Sequence, residues 1–98
     1  MGVKLALKVN DLDNVATIFA SGLKSGTEVE MRDKKGNVER MTIFSEIPYG
    51  HKIALRDIHT GESITKYGEE IGAATRDIRK GEHVHIQNMD SMRGRGDL

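Results

Sequence analysis

The sequence predicts an all-β domain, and three observations carry the prediction. Residues 3–9 alternate, with Val3, Leu5, Leu7 and Val9 on one face and Lys4, Ala6 and Lys8 on the other, the period-two pattern of a half-buried strand. A unit of one apolar residue, two polar residues, glycine, two polar residues and a second apolar residue occurs three times, at 23–29, 58–64 and 78–84. No segment keeps an apolar period near that of a helix over roughly ten residues or more.

In each unit the first apolar residue can plug a core, and the last starts a returning strand. The glycine between them (Gly26, Gly61, Gly81) supplies a positive-φ corner that a side chain resists. Two of the units lie in a near-duplicate, Ala54-Leu55-Arg56-Asp57-Ile58 against Ala74-Thr75-Arg76-Asp77-Ile78. Such corners in a short chain imply a turn-dense β structure and not a solenoid. Asp57 and Asp77 hold equivalent places, where turn bonding is their expected role.

The first strand, 3–9, ends at Asn10-Asp11-Leu12-Asp13-Asn14, a polar turn sequence. Residues 15–20 read as a strand on their β-branched content, although Asp13 or Asn14 could cap a short helix there. Residues 28–32 and 38–44 form a hairpin around Asp33-Lys34-Lys35-Gly36-Asn37. Met31, Val38, Met41, Ile43 and Phe44 are its expected apolar side. Pro48, the single proline, sets the entry to a strand at 51–55. Further strands are expected at 64–68 and 83–88. From Asn88 onward there is little to bury, so the domain is assigned to residues 1–89 and a tail to 90–98, leading to or docking on a large partner.

Composition narrows the function classes. A chain of 98 residues is one domain, burying about 60–65% of the surface its unfolded form exposes. Only 37% of it is hydrophobic and 4% aromatic, a thin core that suits a domain leaning on a partner. Fifteen basic and 15 acidic side chains cancel, so no electrostatic footprint for nucleic acid is present. The absence of cysteine excludes disulfides, thiolate nucleophiles and cysteine-ligated clusters or zinc, and is compatible with the cytoplasm, the expected location. Met1-Gly2-Val3-Lys4 leads into alternation and not into a signal-peptide core. No apolar run approaches the roughly 18–20 residues of a spanning helix, so no membrane partner is expected.

The groups with usable chemistry lie between Ile47 and Asn88. His83 and His85 are two apart on the expected strand, so both leave one face while Val84 and Ile86 leave the other. Two imidazoles so placed can bind a divalent metal with a third ligand from elsewhere, share acid–base work, or simply be solvent-facing. His51 follows Gly50 at a turn edge. His59 lies in a solvated corner, where its counterparts are Lys24 and Arg79. Lys66 beside Tyr67 can grip an anionic group or snorkel from a half-buried strand. Arg93-Gly94-Arg95-Gly96-Asp97 reads as an arm that reaches a partner or an anion.

Four ordered motifs then carry a resemblance. Ile47-Pro48-x-Gly50-His51-Lys52-Ile53-Ala54-Leu55, Ile64-x-Lys66-Tyr67-Gly68-x-x-Ile71-Gly72-x-Ala74, Asp77-Ile78-x-x-Gly81-Glu82-His83-Val84-His85-x-x-Asn88 and Arg93-Gly94-Arg95-Gly96-Asp97 together resemble the SAF-type N-terminal domain of the altronate/galactarate dehydratases. Asp13-Asn14-Val15-Ala16 fits as well. The chain is also similar to the small subunit of sulfolactate sulfo-lyase. The resemblance implies a SAF-type β-clip fold, mostly antiparallel with long loops. It implies part of a hydro-lyase that eliminates water from a sugar acid to give a 2-keto-3-deoxy acid, with a divalent metal, iron or manganese, in the assembled enzyme, and leaves open that none is bound to this chain alone. The implied partners are a large catalytic subunit and a sugar-acid substrate, with a homo-oligomer left open. Carried onto this sequence, His51, Lys66 and His85 are the expected catalytic residues, Lys52, Tyr67 and Arg93 the substrate-binding ones, and His83 and His85 the metal ligands. The family's third histidine after His85 is Gln87 here. A sulfo-lyase subunit and a non-catalytic carbohydrate-binding module are the alternatives.

Overall fold

Nine strands and no helix make up residues 4–91, the part of the chain that the computed structural model describes. They are β1 (Leu5–Lys8), β2 (Val15–Phe19), β3 (Glu28–Asp33), β4 (Val38–Thr42), β5 (Lys52–Ala54), β6 (Ser63–Lys66), β7 (Glu69–Ala74), β8 (His83–Val84) and β9 (Met89–Ser91). Six form one sheet in the order β4-β3-β1-β2-β5-β8, and β6-β7-β9 form a second. All neighbours are antiparallel except β1 and β3. Among the described residues no helix is long and apolar enough to cross a membrane.

Two cores flank the middle of the larger sheet. Ala16, Ile18 and Ile53 pack with Leu23, Val29, Met41, Ile43 and Ile47. Val15 and Ala54, their neighbours in sequence, pack instead with Ile58, Ile64, Ile78, Val84 and Met89. Successive side chains of a strand leave opposite faces, so β2 and β5 serve both cores. This is why Val15-Ala16-Thr17-Ile18 is a buried run without polar alternation.

Four corners, not three, organise the chain. The fourth is Ile47-Pro48-Tyr49-Gly50-His51-Lys52-Ile53. It has the same spacing, but proline and tyrosine fill the pair that is polar in the others. Leu23 bridges Ile47, and Ile58 bridges Ile78. Each corner glycine donates to a backbone carbonyl in or next to a strand: Gly26 to Ile43, Gly50 to Ile18, Gly61 to Ala74 and Gly81 to Ala54. The residue after each glycine accepts a bond back from that same residue. Asp57 and Asp77 bond across the second pair of corners, receiving the Lys80 and Thr60 amides at 2.9 Å each, as their turn role predicts.

The expected all-β class holds, and several local expectations are corrected. Val38 and Phe44 do not join the hairpin's apolar side: they are 56% and 50% exposed. Val38 begins the edge strand β4, and Phe44 lies outside it with the Arg79 guanidinium 4.9 Å from its ring centre. The strand expected at 64–68 ends at Lys66. Tyr67 and Gly68 form the tight turn into β7, both at positive φ, the pattern of a type I′ hairpin. The strand expected at 83–88 ends at Val84, and Ile86 is 79% exposed in a turn. The expectation of little burial from Asn88 onward is corrected as well: Asn88 and Met89 are buried, and Met89–Ser91 pairs with β7. Residues 92–98, with Arg93 and Arg95, lie outside the described residues.

Candidate metal centre

β5 and β8 lie side by side at one edge of the larger sheet, with Ile53 opposite His83 and Lys52 opposite Val84. His51 stands at the mouth of β5. Its carbonyl accepts from Ile18 at 2.9 Å and its amide donates to Pro48 at 3.1 Å, so the Gly50 corner fixes its backbone against β2. His83 opens β8, with its amide donating to Ser45 Oγ at 2.8 Å.

Asn88 shapes the rest. It is fully buried. Its Nδ2 donates to the His83 carbonyl at 2.8 Å and its Oδ1 accepts from the His85 amide at 3.0 Å. A side-chain amide that satisfies local backbone groups competes with the sheet ladder. This explains why β8 stops after two residues and the chain folds His85 back beside His83. Asn88→Ala is expected to leave the His85 amide without this acceptor and the His83 carbonyl with only the longer Gln87 contact at 3.3 Å, and to cost about 2–4 kcal/mol. Chemical denaturation measures the cost, and the His83 and His85 ring resonances should shift with it.

The outcome is a stack of three imidazoles. His51 and His85 have ring centres 4.2 Å apart, His51 and His83 5.1 Å, and His83 and His85 5.7 Å. His51 Nδ1 lies 2.9 Å from His83 Nε2. One nitrogen from each of the three lies within 4.8 Å of the others. Burial, then the charges of His51, His85 and Lys52, push His83 down to about 4. Burial, then His51 and Lys52, push His85 down as well. His83 and His85 are therefore neutral near pH 7. Because these rings bind protons less readily folded than unfolded, acid favours the unfolded chain. In the metal-free protein their neutral form is fully compatible with the fold above about pH 6.5. Stability should fall as pH drops from there toward 4, the value His83 reaches. Thermal unfolding between pH 7.5 and pH 4.5 checks this, and His83→Gln should flatten the slope.

The donor set fits a divalent metal. His85 Nδ1 is buried without a hydrogen-bond partner, a situation that costs about 1–3 kcal/mol unless another group satisfies it. Neutral imidazoles are metal ligands, and the cluster brings three together with no carboxylate among them. His51, His83 and His85 would hold the ion.

Lys52 is half-buried, and burial, then the nearby Lys66 ammonium, pull its pKa down. Its charge acts on His83 and His85, whereas that of Lys66 acts on Lys52. Lys66 stands one step out from the imidazoles, its Nζ 4.9 Å from the Tyr67 ring centre. Asn14 holds that step in place: it accepts from the Thr65 amide and donates to the Ser63 carbonyl, both at 2.8 Å, tying β6 to the start of β2. Among the described residues neither lysine forms an ion pair. The structure thus joins His51, His83, His85 and Lys52, with Lys66 beyond them and Tyr67 on an exposed turn. Sequence reasoning placed His51 at the site as a catalytic residue and not as a third imidazole ligand, and it missed Asn88 as the organiser. The signals were present: an asparagine three residues after His85, and a fourth corner whose glycine precedes His51.

The family model of the altronate/galactarate dehydratase SAF domain matches residues 4–92. Altronate dehydratase of Escherichia coli strain K12 is 42% identical over 82 residues, covering 84% of this chain and 15% of that protein. The (2R)-sulfolactate sulfo-lyase subunit alpha of Chromohalobacter salexigens is 33% identical over 88 residues, covering 87% of this chain and 93% of that one. Galactarate dehydratase (L-threo-forming) of Escherichia coli strain K12 is 40% identical over 79 residues, 80% of this chain and 14% of that protein. The chain thus spans about one-seventh of the dehydratases it matches and nearly all of the sulfo-lyase subunit.

Proposed function

Since the chain belongs to the altronate/galactarate dehydratase SAF domain family, we propose that it is the metal-holding part of a hydro-lyase acting on sugar acids, completed by a larger catalytic partner. The observation that supports this reading is the three-imidazole cluster with its orphaned His85 Nδ1. The dehydratase relatives carry the matched region within much longer chains, and the sulfo-lyase relative is a subunit.

The residues take these roles. His51, His83 and His85 hold the metal, and their all-nitrogen set suits iron better than manganese, which prefers oxygen donors. A bound divalent ion would polarise a substrate oxygen as a Lewis acid. Lys52 and Lys66, which form no ion pair among the described residues, hold the substrate carboxylate, with Tyr67 beside Lys66. This leaves His51 and His85 as ligands and not proton carriers. The base that takes the α-proton and the acid that assists the departing β-hydroxyl then belong to the larger partner. A second reading, the α subunit of a sulfolactate sulfo-lyase, is favoured by the match across nearly the whole of that subunit.

Co-expression with a large catalytic region of a dehydratase or of a sulfo-lyase tests both. Water elimination from altronate or galactarate supports the first reading, and sulfite release from (2R)-sulfolactate the second. Lys52→Met should raise KM for the active substrate about 10-fold or more, the loss expected when a charge-assisted contact of about 1.5–3 kcal/mol is removed. Rates that stay unchanged with the complex intact, in this variant and in the histidine variants, would leave only a non-catalytic carbohydrate-binding module.

A further inference from the structure

Gln87 stands where the resemblance leads one to expect a histidine, and its geometry is specific. Its Nε2 lies 3.3 Å from His83 Nδ1 and also 3.3 Å from the His83 carbonyl oxygen. A carbonyl only accepts, so the nitrogen end of the amide must face it. The same nitrogen then offers a proton to Nδ1. A neutral imidazole carries a single N–H, so an accepting Nδ1 leaves the His83 proton on Nε2. That Nε2 sits 2.9 Å from His51 Nδ1, which accepts it and leaves the His51 proton on its own Nε2. Protons therefore point one way along the chain Gln87, His83, His51.

We propose that Gln87 is a positioning residue, a latch that sets the His83 tautomer and must turn over when a metal is bound. The second half rests on reading the three imidazoles as a metal centre; the first does not. With its proton on Nε2, His83 has no lone pair toward the cluster. To ligate there it must lose the Nε2 proton to solvent and take one from solvent on Nδ1, remaining neutral throughout. The new Nδ1–H then needs an acceptor. Rotating the Gln87 amide by half a turn presents Oε1, the kind of outer-shell partner that metal-binding histidines keep. The rotation gives up the bond to the His83 carbonyl, which Asn88 Nδ2 already fills at 2.8 Å, and sets Oε1 beside that carbonyl oxygen, a repulsion that metal ligation must offset. Gln87 is exposed, so its amide is free to turn.

The test reads proton positions in the full metal-free chain by long-range proton–nitrogen NMR of the imidazoles. His83 should carry Nε2–H in the wild type. In Gln87→Glu, whose carboxylate can only accept, it should carry Nδ1–H, and in Gln87→Met the two forms should mix. Calorimetric titration with Zn2+ should then show Gln87→Glu binding about 10-fold tighter than wild type, within the range that outer-shell partners command. The same His83 tautomer in wild type and Gln87→Glu overturns the latch, including the case where added charge alone tightens Zn2+ binding. A tautomer switch without any Zn2+ binding keeps the latch and overturns the metal centre.

Discussion

Replacing His51, His83 or His85 singly with alanine is expected to lower divalent-metal affinity by at least about 100-fold, beyond the range for losing an outer-shell partner. Activity of the assembled enzyme should fall with it. The reason is geometric. One nitrogen from each ring lies within 4.8 Å of the others, and no carboxylate stands among them to replace a lost ligand. The fold should survive each change, because none of the three rings belongs to either apolar core. Calorimetry with Fe2+ under anaerobic conditions, beside a thermal melt, separates loss of metal from loss of structure. His59→Ala is the control: it lies in an exposed corner and should alter neither.

Gly81→Ala should be far more damaging than the same added methyl at Gly61. Gly81 has φ +91°, and an added Cβ would stand 2.4 Å from the Thr42 carbonyl oxygen and 3.1 Å from Phe44. The obstacle is backbone, and that backbone is held: Gly81 donates to Ala54 and accepts from Phe44, each at 2.9 Å. Gly61 has a similar φ of +87° with nothing within 4 Å of the added Cβ. Gly61→Ala should therefore cost only the conformational term, about 1–2 kcal/mol, or roughly 4–16 °C in Tm for a domain of this size. Gly81→Ala adds the clash and should cost about 4 kcal/mol or more, a large share of a total stability of about 5–15 kcal/mol. Circular dichroism melts of the two variants side by side measure the difference. Because Gly81 sits just ahead of His83, metal affinity should fall in Gly81→Ala and hold in Gly61→Ala.

Where the sequence could be read, a local rule matched a local cause. The corner units at 23–29, 58–64 and 78–84 were legible because a glycine at fixed distance from two apolar plugs is a backbone requirement written in residue type. The fourth, at 47–53, was obscured by Pro48 and Tyr49 in place of the polar pair, and with it went the equivalence that puts His51 at the cluster. His83 and His85 do converge, but not by strand alternation. The strand ends at Val84, and the Asn88 amide draws His85 back, an interaction that periodicity cannot express. Tyr67 read as strand because tyrosine favours strands. Its positive φ is imposed from outside, by Gly68 beside it and by the Asp13 carboxylate that accepts the Gly68 amide at 2.8 Å. The buried run at Val15 was ambiguous for a tertiary reason: only a strand between two cores is apolar on both faces.

Iron K-edge absorption on the Fe2+-loaded chain measures the proposed coordination directly. Three imidazole nitrogens at about 2.0–2.2 Å from the metal are expected, reduced to two in His85→Ala. A shell made only of oxygen, or one indifferent to His51, His83 and His85, would contradict the account.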